Sequence, residues 1–133
     1  MSQTFSALAA IYLSMLIMDG IWLTSMKPFY TKYLGHLMSG SVNYAAAAIF
    51  YTLYGVGILV FVVMPLIKNN GSLAQAFIMG AFLGLIAYAA YDLTNQATLK
   101  DWKLTLTIVD MAWGALLTGV AAMAGLAAAR YFH

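Results

Sequence analysis

The sequence predicts an all-α membrane protein with four transmembrane helices in an antiparallel, up-down bundle. Three observations carry this expectation. The 133 residues are 64% hydrophobic and 8% charged, with a mean hydropathy of +0.87. A soluble domain is about a quarter charged, so so few charges cannot cover a water-facing surface of this size. Four apolar runs each reach the roughly 20 residues that a helix needs to cross the hydrocarbon core. The runs lack dyad alternation, and of the two structures that satisfy their backbone in lipid, helix and closed barrel, this leaves the helix.

The first run, 5–26, is stopped by Lys27 and Pro28. Its leading residues Met1-Ser-Gln-Thr-Phe5 carry no basic charge, and it closes on Trp22, Lys27 and Pro28. It therefore reads as a span and not as a cleaved signal peptide. Segment 27–42 is the longest link. With Pro28, Tyr30, Lys32, Tyr33, Gly35 and His36 it suits the membrane interface and has room for a short interfacial helix. The second run, 43–67, holds Pro65 in its last turn and breaks at Lys68-Asn-Asn-Gly71. The third, 73–98, ends at Lys100-Asp101, and the fourth, 104–129, ends at Arg130. Tight links make consecutive helices antiparallel neighbours. Residues 1–133 are expected to form a single transmembrane domain.

Charge narrows the rest. Lys27, Lys32, Lys100 and Lys103 fall on one side of the membrane, Lys68 and Arg130 on the other. The positive-inside rule then places both termini on the periplasmic side. A net charge of +2 does not support nucleic-acid binding. There is no cysteine, so thiolate and disulfide chemistry are excluded. His36 and His133 lie in a loop and at the C-terminus, and no metal and no cofactor is expected. The expected partners are the lipid bilayer, a small-molecule or lipid ligand, and a second copy of the chain docking through small-residue faces.

The chain has four acidic residues, all aspartates; Asp101 lies in a loop, and Asp19, Asp92 and Asp110 lie inside predicted spans. An aspartate at a helix centre costs about 2.5–3.5 kcal/mol on the insertion scale, and such residues usually face a bundle interior and mark a site. Their depths agree. Asp19 precedes Lys27 and Asp92 precedes Lys100 on helices running the same way, and Asp110 follows Lys103 on a helix running back. At the helical rise each lies about 10–12 Å from its lysine, so the three share one layer. Tyr51 on the second span reaches the same depth. In the third span Gly80, Gly84, Tyr88, Tyr91, Asp92 and Asn95 lie in one stripe at helical period. The expected proton or ligand site is therefore Asp19, Asp92, Asp110, Asn95, Tyr51, Tyr88 and Tyr91, walled by Trp22, Trp113, Tyr12 and Tyr54. Asp19-Gly-Ile-Trp22 and Asp110-Met-Ala-Trp113 repeat one phrase on opposed helices, which predicts two indoles bracketing the carboxyl layer. Desolvation and mutual repulsion disfavour three ionised carboxyls side by side, so at least one and, in the fuller expectation, two of the three are protonated at neutral pH.

Several of these residues also carry a resemblance. Asp19-Gly-Ile-Trp22, Tyr51-Thr-Leu-Tyr54-Gly55-Val-Gly57, the stretch from Gly84 to Leu99 with its Tyr91-Asp92-Leu93-Thr94-Asn95 phrase, Trp102, and Val109-Asp110-Met-Ala-Trp113-Gly114 resemble the bacterial DUF2177 family of membrane proteins. The resemblance runs from about Tyr12 to Ala122. Lys103 stands where the family pattern often has a proline. The resemblance implies a small multi-span protein of the bacterial inner membrane and supplies no function.

Three functions follow from the residues. Coupled intramembrane carboxyls are the usual chemistry of proton relays, and adjacent tryptophans suit a cationic or lipophilic ligand, which favours proton-linked transport or binding. Paired carboxyls also provide an acid and a base for a lipid- or isoprenoid-modifying enzyme, with Asp92 as acid and Asp19 or Asp110 as base. The third is structural, with Asp, Tyr and Asn as interhelical hydrogen-bond glue worth about 0.6 kcal/mol per contact.

Overall fold

The computed structural model describes residues 2–132, and within them the chain forms helices and no strand. Helix α1 (Ser2–Ser25) is followed by the short α2 (Lys27–Leu34) and a 3₁₀ turn, Gly35–Leu37. The second span is built from α3 (Tyr44–Ile58), a π-helical turn (Leu59–Val63) and α4 (Met64–Lys68). Helices α5 (Leu73–Thr98) and α6 (Leu104–Tyr131) complete the chain. Four helices, Ser2–Ser25, Tyr44–Lys68, Leu73–Thr98 and Leu104–Tyr131, are long and apolar enough to cross a membrane. His133 lies outside the described residues.

Local chemistry sets the helix ends. The Asn43 side chain caps α3 by accepting from the Ala46 amide at 3.1 Å. Ser72 and Gln75 form a capping box at the start of α5. Pro28 sits in the first turn of α2, where its missing N–H is no loss. The two turns between spans use Asn70 and Asp101 at positive φ, 53° and 63°, a backbone region that Asn and Asp enter more readily than other non-glycine residues. The π-helical turn lies just ahead of Pro65. There the Met64 amide reaches back to the Leu59 carbonyl, and the widened turn accommodates a proline that cannot donate to the helix ladder.

Helix α6 is the spine. It is buried at Gly114, Leu117, Thr118, Ala121, Ala122, Gly125, Leu126 and Ala129, and both α1 and α5 pack along it. Small residues permit this approach. A methyl group at Gly80 would lie 2.7 Å from the Ala122 Cβ, and one at Gly84 would overlap the Gly114 carbonyl and Thr118. The pairing of 80 with 122 and of 84 with 114 makes α5 and α6 antiparallel. On the other flank Gln3 donates to the Ala129 carbonyl, Ile11 lies on Gly125, and Trp113 meets Asp19, so α1 is antiparallel to α6 as well.

The second span joins this sheet of three helices only along its C-terminal half. Residues 44–50 are exposed on all sides, and Gly55 is the first buried position, with the Tyr12 ring lodged against it. From there Ile58, Leu59, Val62, Val63 and Leu66 enter the core. At the end away from the aspartates, Arg130 donates to the Gly71 carbonyl and ties α6 to the turn before α5.

Candidate functional site

Asp19, Asp92 and Asp110 all line one cavity of about 260 Å³, together with Trp22, Tyr30, Tyr88, Tyr91, Trp102 and Trp113. Three helices deliver the carboxyls: α1, α5 and α6. The cavity lies toward the end of the bundle capped by α2 and the α5–α6 turn.

The three carboxyls have different surroundings. Each oxygen of Asp19 accepts a hydrogen bond: Oδ1 from Trp113 Nε1 at 3.1 Å and Oδ2 from the Tyr51 hydroxyl. The Tyr51 hydroxyl also reaches the Met15 carbonyl at 3.1 Å, so its one proton is shared between two acceptors. Asp110 Oδ1 accepts from the Tyr30 hydroxyl at 2.7 Å, and that hydroxyl accepts from Trp22 Nε1 at 3.0 Å. Asp92 differs from both. It is 0% exposed, and neither of its oxygens has a hydrogen-bond donor. Asp110 lines the same cavity.

Tyr30 belongs to α2, which lies outside the spans. Burial, and then the hydrogen bond to Asp110, push its hydroxyl above the ordinary tyrosine range. It therefore remains a proton donor throughout the physiological range.

The repeated Asp-x-x-Trp phrase produces a crossed arrangement. Trp22 and Trp113 stack face to face, with centroids 4.3 Å apart and planes 5° from parallel. The expectation of two separated indoles bracketing the carboxyls is corrected: the indole pair stands between Asp19 and Asp110. The antiparallel helices explain this. Trp113, from the phrase on α6, serves Asp19 on α1, and Trp22, from the phrase on α1, serves Asp110 through Tyr30.

The other expected site residues divide. Tyr88 lines the cavity with its ring on Gly114, where a Cβ would overlap it. Tyr91 also lines it and meets Trp102 edge-on at 5.7 Å. Tyr51 touches Asp19 but flanks a second opening between α1 and α3. Tyr12 lines that second opening and donates to the Thr52 carbonyl at 2.8 Å. Tyr54 is tied to Thr118 by a hydroxyl–hydroxyl hydrogen bond of 2.6 Å. Tyr12 and Tyr54 are therefore not walls of the carboxyl cavity, and Asn95 does not line it. Asn95 stands three residues beyond Asp92, some 60° round the helix, whereas Gln96 stands four beyond and about 40° round. It is Gln96 whose Oε1 is buried without a donor.

Sequence reasoning missed Tyr30 and Trp102. Trp102 donates Nε1 to Thr107 Oγ1 at 2.9 Å, which folds the α5–α6 turn back over the cavity. For Tyr30 the test is direct. Tyr30→Phe removes the link between α2 and Asp110, a hydrogen bond to a charged group worth about 1.5–3 kcal/mol. Amide hydrogen exchange in α2 is expected to accelerate by about tenfold or more, with α5 and α6 unchanged.

Among the described residues, no three His, Asp or Glu side chains are grouped to hold a metal ion. The family model described as "Predicted membrane protein (DUF2177)" matches residues 4–127. No curated protein and no solved structure matches the chain.

Proposed function

The chain belongs to the DUF2177 family of predicted membrane proteins, a family whose function is unassigned, and from its own cavity we propose that it exchanges a proton for a small organic cation inside the membrane. The observation that carries this reading is Asp92: a fully buried carboxyl with no donor on either oxygen, facing Asp110 across a cavity walled by aromatic rings. A buried carboxyl without a donor holds a proton or meets a cation. Tyr91 and the outer faces of the stacked Trp22–Trp113 pair line the same cavity and are the kind of surface an organic cation contacts.

The two aspartates on either side of the indole pair divide the work. The Asp92–Asp110 pair carries the exchangeable proton. Asp19, bonded to Trp113 and Tyr51, supplies the second carboxyl of the path. Interhelical glue accounts for the bonds of Asp19 and Asp110 but leaves Asp92 without a purpose, since an unpaired buried carboxyl weakens a bundle. In this reading the protein sits in a bacterial inner membrane with both termini periplasmic, and the α2 end of the cavity faces the cytoplasm.

The test uses protein reconstituted in liposomes that contain a pH-sensitive dye. An imposed gradient of tetramethylammonium, or of larger organic cations up to tetraphenylphosphonium, is expected to move protons in the opposite direction. No proton movement with any of these cations, in protein shown to be folded, overturns the proposal.

A further inference from the structure

Asp19 and Leu23 line two openings at once: the carboxyl cavity and a larger one of about 710 Å³ between α1 and α3. The larger opening exists because α3 leans away from α1. The Tyr12 ring, wedged on Gly55, holds the two helices together at one level, while residues 44–50 remain exposed on all sides. The facing positions below that wedge are small, Gly20 on α1 and Ala47 and Ala48 on α3, yet they do not close together. A Cβ at Gly20 would meet nothing within 4 Å. Small residues that normally allow helices to touch here leave a groove open to the lipid.

The groove has the properties of a ligand site. Its volume falls within the roughly 300–1,000 Å³ of drug-sized pockets. Its walls are mainly apolar, among them Leu16, Val42 and Ala48, with Asp19, Thr52 and the hydroxyls of Tyr12, Tyr44 and Tyr51 as its polar groups. Among the described residues no lysine or arginine pairs with Asp19; its partners are Tyr51 and Trp113. A carboxyl with only neutral partners at the wall of an apolar groove is, when ionised, complementary to a cation. The Tyr51 ring, whose hydroxyl touches Asp19, offers a cation–π face at the same level.

We infer that the groove between α1 and α3 binds a membrane-partitioned amphiphilic amine, with its chain along the groove and its ammonium at Asp19. The amine reaches the protein sideways from the lipid, and Asp19 stands between the groove and the carboxyl cavity. The inference deepens the proposed cation exchange and rests on it for the charge of the ligand.

The test uses two photoreactive probes in lipid nanodiscs: a diazirine-bearing dodecylamine and the matched dodecanol. The amine is expected to label the segment 42–52 in preference to the alcohol by about tenfold, the worth of a charged hydrogen bond. Asp19→Asn is expected to remove that preference. Gly20→Leu, whose side chain has open space to enter, is expected to fill the groove and abolish labelling of the segment with the fold unchanged. Ala48→Leu does the same from the opposite wall. Asp92→Asn is expected to keep the labelling, because Asp92 does not line the groove. Equal labelling by amine and alcohol in the natural sequence overturns the inference, as does labelling that survives both groove-filling substitutions. Tetramethylammonium-driven proton movement together with equal labelling by amine and alcohol leaves the exchange reading standing while the amine inference fails. Loss of exchange with the amine preference intact is the reverse case.

Discussion

Asp92→Asn is expected to abolish proton exchange and leave the bundle folded. Asparagine keeps the shape of the side chain and removes the titratable group. No hydrogen bond is lost, because neither Asp92 oxygen has a donor. The substitution leaves one unsatisfied buried oxygen in place of two, and the new amide can donate toward the cavity. Thermal stability in detergent should be unchanged or raised by about 1 kcal/mol. Exchange in the liposome assay should fall by about a hundredfold or more, the usual effect of removing a positioned acid. Asp110→Glu, which retains a carboxyl but displaces it, should retain partial exchange. Natural rates in Asp92→Asn would assign the cluster to structure.

The second large effect concerns packing. Gly84→Val is expected to prevent normal association of α5 with α6. A Cβ at Gly84 would overlap the Gly114 carbonyl and approach Thr118 Oγ1 to 2.6 Å. The first of these is backbone within a helix and cannot rotate away. Overpacking of a close core contact costs about 1–3 kcal/mol, and a clash with helix backbone belongs at or above the upper end. Thermal unfolding in detergent should show a large fall in midpoint or no folded protein. Gly20→Ala is the control. It adds a methyl into open space and should cause no loss. Equal behaviour of the two variants would mean that close approach at Gly84 does not hold the helices together.

The fold class was legible because apolar run length and helix-breaking residues act locally. Lys27-Pro28, Asn69-Asn70-Gly71 and Lys100-Asp101 mark three helix breaks without any reference to tertiary structure. The grouping of Asp19, Asp92 and Asp110 was also readable, since depth follows from rise per residue and alternating helix direction. Three features were not. Tyr30 lies on a short helix after a break, and spacing along a span says nothing about how such a helix folds back over the site. The indole stack depends on the rotation of α1 against α6, which one helix's periodicity cannot report. The lean of α3 depends on one ring, Tyr12, meeting one glycine, Gly55, across two helices. Asn95 was read into the site for a related reason: a stripe of positions is wider than the contact it makes, and Gln96 lies closer to the Asp92 direction.

The crossed indole stack also limits how the molecule can move. Trp22 and Trp113 overlap at 4.3 Å, and each also donates a hydrogen bond toward the opposite helix's aspartate. A slip of α1 along α6 by one residue, about 1.5 Å, would break the stack and strain both hydrogen-bond paths together. The joint therefore behaves as a keyed shaft, and α1, α6 and the glycine-sealed α5 form a rigid frame. The parts outside that frame are the exposed first half of α3, which touches α1 where Tyr12 meets Gly55, and α2, held to Asp110 by one tyrosine hydroxyl.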